Sequence, residues 1–400
     1  MSQHSLISDE NFHFDQISRF TKYNWSMVPS LTTLPGYHGI VAAVWWLSGF
    51  SATLPVFRSI SFGISLFSIL AFFLCVRFLD PEHALLKTMQ YILLPVLFPF
   101  LFLLYTDISS LLFLFLALYA VLTRHYWLAG ILSILCVLTR QNAIVWLGFL
   151  FLLVWIHHSV TPSLPGETYF QEARRRVREV LKSRQVLWRA VFRSFTFLVG
   201  MVLFAVFVYW NHGIAIGDKE AHPFPAIHFG NIYLLLFLFF FIFLPLNIAN
   251  LPRIRRLLKV HMDSVLVLLV LFFFFYWFTF QNTHPFNQQD YSWWLRNRIL
   301  IFFTQSALLR VLFFLPIAYS VLSIAATRLV WSSFYSMYPL AVLYLIPSWL
   351  IEQRYYFIPY CLFMIFREGR SFRVESLTVV YFAVCTVVLY WGIILGRFFL

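Results

Sequence analysis

Two runs in this chain, YLLLFLFFFIFLPL at 233–246 and VLVLLVLFFFFYWF at 265–278, show no polar face at helical spacing. A helix that is apolar all round belongs in a large core or in lipid. Several such segments within 400 residues point to an all-α polytopic membrane protein. A β-barrel is disfavoured, because barrel strands alternate rather than run continuously apolar. Composition agrees: 61% of residues are hydrophobic and 11% charged, where soluble chains carry about 25% charged residues. The net charge of +13 invites a nucleic-acid reading. The basic residues lie in short stretches between apolar runs, however, where they set membrane orientation, so no nucleic-acid partner is expected. Cys75, Cys136, Cys361 and Cys385 sit in apolar segments without a CxxC pair and read as small core residues.

About twelve spans are expected, near 59–79, 88–104, 108–123, 127–139, 143–158, 191–210, 227–248, 263–281, 299–327, 330–348, 355–366 and 376–397. The 299–327 stretch is long for one helix and carries Arg310, which predicts a tilted or broken span. The segment 37–49 is too short to cross, and its Trp45 and Trp46 suit a helix lying on the interface. Residues 1–58 therefore read as one acidic loop with an interfacial helix, and 59–400 as the multi-span membrane domain. Basic clusters mark the connections 159–190, 250–262 and 367–374 as cytoplasmic. Counting spans from them places residues 1–58 and the connections YTDIS (105–109), TRQN (139–142), GDKEAH (217–222), HPFNQQDY (284–291) and LIEQRYY (350–356) on the opposite face.

That opposite face gathers the groups able to do chemistry. Asp9 and Glu10 read either as a solvated helix cap or as a general base acting on a sugar hydroxyl. His13 shares the helical face of Glu10. Arg140, Lys219, Arg296, Arg298 and Arg354 are cations able to hold a departing phosphate, or else interface anchors and structural ion pairs. Asp107, Gln141, Asp218, His222, His284, Asp290, Glu352 and Tyr355 accompany them as candidate substrate-binding residues. There is no Walker A loop, dinucleotide glycine signature or HExxH spacing, so neither a nucleotide nor a metal cofactor is expected.

Seven segments in order, DENFHFDQ, LTTLPGYHG, YTDISSL, LTRQNAIVW, GDKEAHPFPAIHF, NTHPFNQQD and IEQRYYFIPY, run through nearly the whole chain. In them the sequence resembles the eukaryotic dolichyl-phosphate-glucose-dependent α-1,2-glucosyltransferases, which add the last glucose to the lipid-linked N-glycan precursor. The resemblance implies a GT-C type glycosyltransferase fold in the endoplasmic reticulum membrane with a lumenal active site. It also implies a polyprenyl-phosphate sugar donor, a lipid-linked oligosaccharide acceptor and no nucleotide. It places the base at Asp9, with Glu10 as the fallback, and the HP…D and E-RYY-P segments at His284, Pro285, Asp290, Glu352, Arg354 and Tyr355.

Two departures accompany the resemblance. Family members carry a membrane helix ahead of the acidic motif, which the residues before Asp9 do not supply. Either that span is missing from this chain or the 59–79 helix translocates the N-terminus. The family's Asp-Asn-Arg-His run is also absent after Asp290, which leaves Arg296 and Arg298 undistinguished. A secondary transporter and a truncated, catalytically silent family member stay open as alternatives. Asn24 in NWS forms an N-glycosylation sequon on the same face.

Overall fold

The computed structural model describes residues 6–157, 171–172, 174–175, 178, 182–219, 226–288 and 294–400. Helices α1 (Glu10–Thr21), α2 (Gly36–Ser48), α3 (Leu54–Leu79), α4 (Ala84–Ile92), α5 (Thr106–Leu122), α6 (Tyr126–Thr139) and α7 (Ile144–His157) come first. They are followed by α8 (Arg184–Arg193), α9 (Phe195–Asn211), α10 (Gly230–Ile242), α11 (Leu244–Thr279), α12 (Pro285–Gln288), α13 (Leu295–Thr304), α14 (Ala307–Ala326), α15 (Met337–Leu345), α16 (Phe357–Phe366) and α17 (Phe372–Ile394). The chain is a helical, multi-pass membrane protein.

Among the described residues, α3, α11, α14 and α17 are long and apolar enough to cross a membrane, and the bent pair α8–α9, with 63° between its helices, can make a fifth span. The other expected spans are shorter. The stretch 88–104 stops being α-helical after Ile92 and turns through a 3-10 segment at Phe98–Leu101, in a region that contains Pro95 and Pro99. The 299–327 stretch is broken: the Ser306 side chain accepts the Leu309 backbone N–H at 3.3 Å and starts α14 as a new helix. Arg310, the awkward residue there, donates from Nη2 to the carbonyls of Trp277 and Phe280 at 3.0 and 2.5 Å. It thereby caps the end of α11.

The expected cytoplasmic connection 250–262 is helical up to a kink at His261. Arg253, Arg255, Arg256 and Lys259 ride on the first piece of α11, ahead of that kink. The 36 residues of α11 form two helical pieces that meet at His261; the second, residues 262–279, is about 27 Å long, close to the ~30 Å hydrocarbon layer. The kink separates the basic half of α11 from its phenylalanine half. The segment 37–49 is the helix α2, closed by Gly49 at φ +69°.

The chain divides into two compact units. Unit 1 holds the described residues up to Pro81, those from Phe100 to Lys219, and Val330–Tyr344; unit 2 holds Glu82–Pro99, the described residues of 226–329, and Leu345–Leu400. In unit 1, α5 packs against α3 and α6. Gly130 on α6 lets α9 approach so closely that a Cβ there would lie 2.6 Å from the Thr196 Cβ. In unit 2, α10, α11 and α14 pack together around phenylalanines such as Phe237 and Phe313, whose rings stack 4.3 Å apart.

Candidate active site

In unit 1 the buried positions of α1 include Glu10, His13, Gln16, Ile17 and Phe20. The spacing is helical, but the stripe is largely polar, so these groups need partners. Glu10 is fully buried and saturated. Arg58 donates to it from Nε and Nη2 at 3.1 and 2.5 Å, and the backbone N–H groups of Leu104 and Ile7 bind it at 3.0 and 2.9 Å. Asp9 is only half-buried and stands at the N-cap position, yet its side chain caps nothing. Its backbone N–H donates to the Tyr105 hydroxyl at 3.2 Å.

His13 joins the same network. Its ring lies 5.3 Å from that of Tyr105, and its Nδ1 is 2.9 Å from Nε2 of His38. Burial lowers the His38 pKa from 6.5 to about 3, so this ring is neutral at physiological pH. Gln16 accepts the Val28 N–H at 2.7 Å and donates to the Ser26 carbonyl at 3.2 Å, which ties the return loop to α1.

Two residues after Tyr105, Asp107 opens α5 and pairs through Oδ1 with Nη1 of Arg140. Asp107 Oδ2 is buried without a hydrogen-bond partner among the described residues. The next residue, Gln141, donates to the carbonyls of Thr32 and Ile214 at 2.5 and 3.2 Å and accepts the Leu34 N–H at 3.2 Å. The backbone of Ile216, Gly217 and Asp218 then hydrogen-bonds to Thr32, Leu31 and Pro29. Gly217 is required there, since a Cβ would lie 2.6 Å from the Leu31 carbonyl oxygen. Lys219 is exposed and donates to the Asn211 carbonyl at 2.6 Å. Unit 1 thus holds Asp9, Glu10, His13, Asp107, Arg140, Gln141, Asp218 and Lys219; His222 lies outside the described residues.

In unit 2, Glu352 is buried between two guanidinium groups. Arg296 Nη1 donates to Oε1 at 2.8 Å, while Arg354 donates from Nε to Oε1 at 2.7 Å and from Nη2 to Oε2 at 3.0 Å. Among the described residues, two cations share one carboxylate. Arg296 also stacks over Trp294, 4.1 Å from the ring centre, whereas Arg298 is exposed. That separates the two arginines the sequence left undistinguished. Tyr355 is half-buried, and its N–H returns to the Glu352 carbonyl at 3.2 Å. His284 is buried, accepts the Phe286 N–H on Nδ1 at 3.1 Å and packs 4.6 Å from the Trp349 ring. A neutral ring accepting on Nδ1 carries its proton on Nε2. Asp290 lies outside the described residues.

Two asparagines not singled out in the sequence hold this segment. Asn231 accepts the Glu352 N–H at 3.0 Å and donates to the carbonyls of Ser348 and Leu350 at 3.0 and 2.9 Å. Asn287 accepts the Ile351 N–H and donates to its carbonyl, both at 2.9 Å, a two-bond ring that imitates a strand partner. Arg58 was missed as well. An arginine in the second turn of the largely apolar α3, well before the terminal Arg77, signals a buried partner.

Relatives named Dol-P-Glc:Glc(2)Man(9)GlcNAc(2)-PP-Dol alpha-1,2-glucosyltransferase are similar to the chain over most of its length. The Arabidopsis thaliana protein is 25% identical over 442 aligned positions, covering 91% of this chain and 86% of its own. A Homo sapiens protein is 24% identical over 395 positions, covering 89% and 82%, and the Mus musculus protein is 23% identical over 401, also covering 89% and 82%. No solved structure matches the chain. The DIE2/ALG10 family model matches residues 3–365, a range that takes in both clusters, and the chain belongs to that family.

Proposed function

We propose that the chain transfers glucose from dolichyl phosphate glucose to the terminal glucose of the diglucosylated lipid-linked oligosaccharide, forming an α-1,2 linkage. The observation that carries this reading is the family match over residues 3–365, which spans the acidic start and the arginine-bound glutamate alike. The β-linked glucosyl group of the donor becomes α-linked in the product, so one inverting displacement suffices. The acceptor hydroxyl oxygen attacks the anomeric carbon. The bond from that carbon to the phosphate oxygen breaks, and its electron pair leaves on dolichyl phosphate.

Asp9 is the base that takes the hydroxyl proton. Glu10 is the poorer choice, because four donors already occupy its carboxylate. Arg354 and Arg296 hold the phosphate charge, with Glu352 fixing both guanidinium groups. His13, Asp107, Arg140, Gln141, Asp218 and Lys219 bind substrate in unit 1, and His284 and Tyr355 do so in unit 2. No metal or nucleotide is assigned, since a phosphate held by two cations leaves unaided. The reading places the chemistry on the lumenal face of the endoplasmic reticulum membrane.

The test is incubation of the purified chain with dolichyl phosphate glucose and a diglucosylated lipid-linked acceptor. One added glucose, released by an α-1,2-specific glucosidase, is the expected product. No transfer under conditions where a relative transfers removes the assignment.

A further inference from the structure

His38, in the first turn of α2, is fully buried and has no part in the chemistry proposed above. Its Nε2 lies 2.9 Å from Nδ1 of His13. The two rings are within 21° of parallel, with centres 5.2 Å apart. Stacked rings would keep these nitrogens about 3.5 Å apart or more, so the contact is a hydrogen bond running close to both ring planes. The packing of α2 on α1 holds the pair in place. The neighbouring Tyr37 pins α2 in turn, through its hydroxyl, to that of Ser61 on α3.

One proton lies between the two nitrogens, and its owner follows from the far side of His38. There Nδ1 is buried with no hydrogen-bond partner among the described residues. If His13 donated, a neutral His38 would carry its proton on Nδ1, and that N–H would be orphaned. If His38 donates from Nε2, its Nδ1 is a bare lone pair. Orphaned buried N–H groups are the rarer arrangement. Burial, which lowers the His38 pKa to about 3, keeps the ring from holding both protons. His38 therefore donates, and Nδ1 of His13 accepts. A neutral His13 then carries its proton on Nε2. An imidazolium at His13 would turn a second N–H toward the Nε2–H of His38, which disfavours that charge state.

Tyr105 borders both His13 and the base. Its hydroxyl accepts the Asp9 N–H at 3.2 Å, and its ring lies 5.3 Å from that of His13. An imidazole there with a bare nitrogen at Nε2 would compete with Asp9 for the proton of the acceptor hydroxyl. We propose that His38 is a positioning residue for the transfer: its Nε2–H fixes His13 as a neutral imidazole protonated on Nε2, a hydrogen-bond donor in the site and not a second base. The proton released by the acceptor hydroxyl then passes to the Asp9 carboxylate. The identity of the reaction rests on the glucosyltransferase reading; the tautomer does not.

Nitrogen-15 magnetic resonance of the full chain, labelled at histidine, reads the tautomer without turnover, and so separates failure of this assignment from failure of the enzyme reading. The signals of the pair are those lost in His13→Gln and in His38→Gln. Both rings are expected to show a protonated Nε2 and an unprotonated Nδ1 at neutral pH. A proton on Nδ1 of His13, with or without one on Nε2, overturns the proposal.

Turnover tests the positioning role. His38→Phe keeps a ring and removes the donor. It is expected to lower kcat per folded molecule roughly tenfold or more, while donor and acceptor KM change less. His38→Gln restores an N–H donor that cannot exchange tautomers, and is expected to recover most of that loss, although both variants replace the same buried ring. Folded His38→Phe with native turnover, or His38→Gln as impaired as His38→Phe, would leave His38 a structural role alone and overturn the proposal. Should neither variant fold, the resonance measurement on the native chain decides.

Discussion

Asn231 accepts the backbone N–H of Glu352 at 3.0 Å and so fixes the residue on which two arginines converge. Its amide nitrogen meanwhile holds the carbonyls of Ser348 and Leu350. Removing the side chain leaves buried backbone groups unpaired, at about 1–3 kcal/mol for each group that finds no water. Asn231→Ala is therefore expected to lower the melting temperature and to raise donor KM more than it lowers kcat. A variant with normal KM and reduced kcat would detach this segment from donor binding.

The contrast between Asp9 and Glu10 gives a second prediction. Glu10 is buried against Arg58, and breaking such a pair from one side costs about 3–5 kcal/mol. Arg58→Ala and Glu10→Gln should therefore reduce the yield of folded protein, while the molecules that fold keep transfer within a few-fold. Asp9→Asn should keep its melting temperature and lose about 10²–10⁴ in kcat. The check is turnover per folded molecule alongside thermal unfolding in detergent. Equal loss of turnover in folded Glu10→Gln and Asp9→Asn would transfer the base role away from Asp9 alone.

Arg354 engages both oxygens of Glu352 in a fork. Lysine cannot reproduce that geometry, so Arg354→Lys is expected to resemble Arg354→Ala, with donor KM raised by about tenfold or more. Arg296→Ala should give a partial loss, and the double variant less than the sum, since both act through one carboxylate. Measured donor KM values across this set test the shared-site reading; strict additivity would refute it.

What the sequence made legible follows from the length over which each signal acts. The apolar runs that become α3, α11, α14 and α17 are long and need no tertiary information. The break at Ser306 and the helical course through Arg253 and Lys259 as far as the kink at His261 depend on one cap and on local backbone hydrogen bonds, which charge and hydropathy do not encode. Among site residues, acids and arginines in polar loops announce themselves. Asn231 and Asn287 do not, because their value lies in backbone groups more than sixty residues away. Gln353, between Glu352 and Arg354, carries no such signal, although its buried amide has no hydrogen-bond partner among the described residues.

His38 supplies a pH dependence. It lies in α2, fully buried, with Nε2 beside His13 and Nδ1 unpartnered among the described residues. Its folded pKa of about 3 lies below the ordinary 6.5. The unfolded chain binds the proton more readily, so the stability contributed by a neutral His38 is fully present above pH 6.5. It falls as the pH drops from there toward 3, by at most about 1.4 kcal/mol per pH unit. His38→Gln is expected to flatten the melting-temperature profile over that window, at some cost in packing at neutral pH. A profile of unchanged slope would show that another group sets the acid sensitivity.

Asn24 reports on sidedness. It follows Tyr23, which adopts φ +57°, and is exposed in the turn after α1, where its Oδ1 accepts the Ser26 N–H at 3.0 Å and hydroxyl at 2.7 Å. The sequon is therefore open to solvent on the stretch of chain that follows Asp9 by one helix. If that helix faces the lumen, protein expressed in cells should carry a glycosidase-sensitive glycan that Asn24→Gln abolishes and Ser26→Thr retains. A chain left unmodified in both the native and the Ser26→Thr forms would place α1 on the cytoplasmic side. Asp9 would then be out of reach of a lumenal acceptor, whatever its geometry.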